Sequence, residues 1–135
     1  MNISFYLKLY ALTIPVFFVI DLIWLGLVAK NFYRSNLKLI ISPEVNWLAA
    51  VVFYLIYISG ILFFAVRPAI DSNSLGTAAA LGALFGFFTY ATYDLTNMAT
   101  IKEWPLKIAV VDILWGTCLC VFVASLSFII SKRLV

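Results

Sequence analysis

The chain has 135 residues, 65% hydrophobic and 11% charged, with a mean hydropathy of +1.10 and a formal net charge of +3. A water-soluble domain of this length could not cover that much apolar surface, which excludes an ordinary globular enzyme or nucleic-acid-binding module. The chain has room for about four membrane spans of ~20–25 residues, and its positive balance suits anionic lipid headgroups rather than nucleic acid.

The first span is expected at about residues 5–29, with Pro15 inside it as a kink site, because proline lacks an N–H and crowds the preceding turn. Its apolar run continues past Asp21 with no small-residue cleavage site, so it reads as a span rather than a cleavable signal. The connection from Lys30 to Pro43 repeats Lys30, Arg34 and Lys38 every four residues, beside Phe32, Leu37, Ile40 and Ile41. That pattern predicts a short helix lying at the lipid interface, its basic stripe turned to anionic headgroups. A second span is expected at 45–66, stopped by Arg67-Pro68. A third follows at 75–98, after the turn-like Asp71-Ser72-Asn73-Ser74. It carries Ala78, Gly82 and Gly86 on one stripe, which lets helix backbones approach closely, inside the bundle or between subunits. The fourth runs over 105–130, opened by Pro105 and closed by Lys132-Arg133. The reading is therefore all-α: residues 1–135 form a single four-helix transmembrane domain, with both termini on one side.

The sequence has no histidine, which removes the usual neutral-pH base and the commonest zinc or iron ligand. Cys118 and Cys120 are two apart, so on a helix they face different ways and read as packing residues. No cofactor and no metal is expected. Five basic residues flank one membrane face (Lys30, Arg34, Lys38, Lys102, Lys107) and four the other (Lys8, Arg67, Lys132, Arg133). The concentrated charges of the first connection favour a cytoplasmic placement for it.

Three aspartates fall inside the spans: Asp21, Asp94 and Asp112. Two open near-identical tetrapeptides, Asp21-Leu22-Ile23-Trp24 and Asp112-Ile113-Leu114-Trp115. A carboxyl in hydrocarbon costs roughly 2.5–3.5 kcal/mol on insertion scales, and less when protonated than when charged. Asp21 lies towards the end of the first span, Asp94 near the end of the third and Asp112 in the first two turns of the fourth. Those positions belong to one leaflet, at depths within ~10 Å of one another at 1.5 Å per residue. Trp24 and Trp115 each share a helix face with an aspartate at three-residue spacing, and Tyr90, Asp94 and Asn97 share another. Tyr93, and Asn46 with Trp47 at the start of the second span, stand at the same level. Tryptophan and tyrosine also serve as plain interfacial anchors, and an aspartate can pair with a nearby lysine. Taken together, the layer points to one polar pocket with aromatic walls for ligand binding or proton handling.

The motifs Asp21-Leu-Ile-Trp-Leu-Gly26, Phe32-Tyr33-Arg34, Val45-Asn46-Trp47, Tyr90-Ala-Thr-Tyr-Asp-Leu-Thr-Asn97, Trp104-Pro105 and Asp112-Ile-Leu-Trp-Gly116 come in order along the chain. In this the chain resembles a family of small prokaryotic membrane proteins catalogued as domain of unknown function 2177. The resemblance covers nearly the whole chain. It implies a multi-pass protein of a prokaryotic inner or plasma membrane and confers no activity.

Three functions fit these residues. One is binding or transport of a small amphiphilic or cationic ligand at the aspartate and aromatic layer. A second is lipid-modifying catalysis, with paired carboxylates as acid and base or as ligands of a hard cation. The acidic repeats typical of lipid phosphotransferases are absent, however, and a Ser-His or Cys-His nucleophile is ruled out without histidine. The third is an accessory subunit, docked through the small-residue stripe to a copy of itself or to another membrane protein.

Overall fold

The structure, a computed structural model, describes residues 2–38, 40 and 44–134. Among these residues are five helices and no strand: α1 (Ile3–Val28), α2 (Lys30–Asn36), α3 (Trp47–Asp71), α4 (Leu75–Thr100) and α5 (Leu106–Ser131). All but α2 are long and apolar enough to cross a membrane. The protein is a multi-pass, all-helical membrane protein.

Helix starts follow from local chemistry. The side chains of Asn2, Asn46 and Ser74 each accept a hydrogen bond from an N–H three residues on, at 3.0, 3.1 and 3.1 Å. Each satisfies a donor that the helix leaves free. Pro105 sits immediately before α5, and α1 continues helically through Pro15.

The second span departs from expectation. Arg67-Pro68 does not end it; α3 continues to Asp71. The turn Leu62–Val66 widens to π-helical geometry, so that the Arg67 N–H bonds back five residues to the Leu62 carbonyl. Proline has no N–H to donate, and the wider turn accommodates it without breaking the rod. A second π-helical turn, Trp24–Val28, closes α1, with the Ala29 N–H on the Trp24 carbonyl at 2.8 Å.

Neighbouring spans run antiparallel. Thr13 and Ser127 share a buried hydrogen bond of 3.0 Å, while Trp24 stacks on Trp115 further along, which fixes opposite directions for α1 and α5. Tyr57 meets Thr89 and Phe64 meets Phe85, so α3 and α4 are also opposed. The tightest pair is α4 and α5. A Cβ on Gly82 would stand 2.6 Å from the Cys120 carbonyl oxygen, and one on Gly86 would collide with the Gly116 carbonyl. The small-residue stripe is thus consumed within the bundle. By contrast, α3 meets α4 mainly through its backbone from Leu62 onward and, before that, through side chains, as in the Tyr57–Thr89 hydrogen bond and the Phe85 ring against Gly60.

The apolar core fills the half of the bundle away from the aspartates, around Leu9, Ile61, Val66, Val123 and Phe128. Large exposed apolar side chains such as Leu27, Leu48, Ile56 and Phe88 cover the lipid-facing flanks. The expected helix after the first span is present as α2. It carries Lys30 and Arg34, both exposed, but ends at Asn36, so Lys38 stands on the following turn rather than on a helical stripe. Lys107 lies over the Phe32 ring at 5.5 Å and ties α2 to the start of α5. Ile41 and Pro43, assigned to the same connection, lie outside the described residues.

Candidate functional site

Asp21, on α1, is 7% exposed, Asp112, on α5, 9%, and Asp94, on α4, fully buried. The sequence places them at one depth; the packing decides which way each turns. Asp21 and Asp112 line a common cavity of about 160 Å³ walled by Phe17, Trp24, Leu25, Tyr33, Phe53, Tyr54, Tyr90 and Trp115. Engineered cavities of about this size admit a ring the size of benzene.

A short relay of hydrogen bonds surrounds the cavity. The Trp24 indole N–H donates to the Tyr33 hydroxyl at 3.1 Å, and that hydroxyl donates to Asp112 Oδ1. The Tyr54 hydroxyl donates to Asp21 Oδ2 at 3.2 Å. Tyr33 reaches in from α2, outside the spans. Burial, chiefly, and its bond to Asp112 hold its phenolic proton well above the usual tyrosine range, so it stays a donor. The wide turn at Trp24–Val28 leads the chain from α1 into α2, and so places Trp24 and Tyr33 side by side.

Asp94 stands behind this cavity rather than in its wall. Its Oδ1 accepts from the Trp104 indole N–H at 3.3 Å, and it lies within electrostatic reach of Asp112. Its Oδ2 is buried without a hydrogen-bond partner. The Trp115 N–H is also buried; it lies beside Asp21 but outside hydrogen-bond geometry. Buried unsatisfied polar atoms are rare in folded proteins. Among the described residues no lysine or arginine pairs with any of the three carboxylates, and no three His, Cys, Asp or Glu side chains are grouped to hold a metal ion.

The family model described as Predicted membrane protein (DUF2177) matches residues 6–129. The chain belongs to this family. No curated protein and no solved structure matches it. The DUF2177 match contains every residue of the cavity wall, together with Asp94 and Trp104. Its description names a membrane setting and no reaction.

The other expected residues divide by direction. Asn46 is exposed and caps α3 through the Ala49 N–H, and Trp47 is 73% exposed beyond it, so neither lines the cavity. Tyr93 packs edge-on against Trp104 at 5.9 Å and stands beside Asn97, at the outer end of α4. Lys38 faces Lys102 and Glu103 across a polar hollow at the membrane face that also contains Ser35 and Asn36. The sequence alone does not assign Tyr33, Phe17 or Phe53 to the site, and marks Tyr54 only as reaching deeper along the second span. The signal for Tyr33 was its place in the Phe32-Tyr33-Arg34 motif, and Tyr54 had only its depth on α3 to mark it.

Proposed function

We propose that this protein binds, and moves between lipid and water, a small cationic or amphiphilic ligand whose charged group enters the cavity between Asp21 and Asp112. The observation that carries this reading is a cavity holding two carboxylates from different helices with aromatic walls and, among the described residues, no basic partner. Intramembrane carboxylates of this kind serve cation recognition and proton coupling. Trp24, Trp115 and Tyr90 offer π-faces to a cation within the same wall. The volume suits a substituted ammonium group rather than a bulky ring system. Asp94, buried and electrostatically linked to Asp112, is the group that exchanges a proton against the ligand's charge. Lys30, Arg34 and Lys38 hold anionic headgroups at the membrane face nearer the cavity, in the inner or plasma membrane of a prokaryotic cell.

Binding of tetramethylammonium to the protein in nanodiscs tests the reading. Asp21→Asn and Asp112→Asn are each expected to weaken it by about tenfold or more, as loss of one charge partner does. Asp94→Asn is expected to leave binding in place but flatten its dependence on pH. Tetramethylammonium binding unchanged in both cavity variants would overturn the proposal.

A further inference from the structure

The Asp21–Asp112 cavity is bounded towards α3 and α4 by Phe53 and Tyr90. Two of its wall residues, Phe53 and Tyr90, also line a separate groove of about 510 Å³ on the outer surface, completed by Tyr57, Thr89 and Tyr93. The groove lies where the two helices meet through side chains, before their backbones converge at Leu62. Phe53 is exposed on the lipid-facing side, and the groove floor is the Tyr57–Thr89 hydrogen bond of 2.8 Å. Hollow and groove are thus neighbours, with the Phe53 and Tyr90 side chains between them.

From this we infer that the ligand is an amphiphile that enters sideways from the bilayer: its ammonium head passes between Phe53 and Tyr90 to Asp21 and Asp112, and its hydrocarbon chain stays in the α3–α4 groove. Charge complementarity selects the head, because neither carboxylate has a basic partner among the described residues. The unpartnered Trp115 N–H in the same wall is a further polar contact for a head bearing an oxygen substituent. The apolar and aromatic groove selects a chain, which a free hydrophilic cation does not have. The inference rests on the proposed binding site and adds the ligand class and the route.

An alkyltrimethylammonium with a photoreactive diazirine in mid-chain tests it, using the full chain in nanodiscs and mapping the cross-links by mass spectrometry. Labelling is expected at Phe53, Tyr57, Thr89 or Tyr93, and is expected to be displaced by excess tetramethylammonium. Thr89→Phe, which fills the groove, is expected to weaken the long-chain probe by about tenfold while leaving tetramethylammonium within about twofold. If tetramethylammonium binds but the diazirine labels all lipid-facing flanks alike, the sideways route is wrong and the cavity reading stands. If tetramethylammonium does not bind, both fall. The wild-type label map decides the route even where Thr89→Phe fails to fold.

Discussion

Trp24 and Trp115 lie face to face, with ring centroids 4.4 Å apart and planes 7° from parallel. Each follows an aspartate by three residues, and the two helices run in opposite directions. Antiparallel packing therefore sets the stacked indoles between the two carboxylates, one towards each side along the helix axes. Trp24 reaches Asp112 through Tyr33, and Trp115 sits beside Asp21. The recurring tetrapeptide is explained by this local two-fold arrangement, which neither copy forms alone.

The stack is expected to be energetically coupled. In a double-mutant cycle, Trp24→Ala and Trp115→Ala should show an interaction of about 0.5–1.5 kcal/mol in unfolding free energy, measured in bicelles. Strict additivity would show that the rings merely lie side by side.

Tyr33→Phe removes both a donor to Asp112 and an acceptor for Trp24. A loss of about 1–3 kcal/mol is expected near neutral pH, because two groups lose a partner at once. The folded-state pKa of Tyr33 is raised above its ordinary value of 10.0. The unfolded chain therefore gives up this proton first, and the stabilisation present below pH 10 declines as pH rises beyond it. Melting temperatures of wild type and Tyr33→Phe should run parallel up to that pH and converge above it. A gap that widens with alkali would contradict the relay.

Glycine substitutions should separate by position. Gly86→Ala forces a Cβ into the Gly116 carbonyl, and a destabilisation of about 1–3 kcal/mol is expected. Gly26→Ala meets nothing within 4 Å and is expected to be neutral or slightly stabilising. Equal effects on thermal unfolding would show that α4 and α5 pack less closely than described.

The spans and the depth of the carboxylate layer could be read from the sequence, because hydrocarbon demands long apolar runs and each residue adds a fixed rise. Rotation about each helix axis could not. Lipid and core are equally apolar, so little amphipathic contrast tells an inward residue from an outward one. Trp47 and Tyr54 show the consequence. Both lie on α3 and both are aromatic, yet Trp47 projects outward while Tyr54 donates to Asp21. The continuation of α3 past Pro68 was hidden for another reason: a widened turn has no sequence signature of its own.

The same contrast gives a binding prediction. Trp47→Ala should change tetramethylammonium affinity by no more than about twofold. Trp115→Ala, which removes a π-face from the cavity wall, should weaken it by about tenfold or more. Comparable losses from both would place the ligand elsewhere.

Without side chains at Gly86 and Gly116, the α4 and α5 main chains are in direct contact. Sliding either helix by one residue would drive a side chain into a carbonyl, so this pair acts as a fixed frame. Any breathing of the molecule must come from the other pair. Both of those helices carry side chains such as Phe17 and Ile58 into the middle of the bundle, so their spacing is set by side-chain packing, which adjusts more readily than touching main chains.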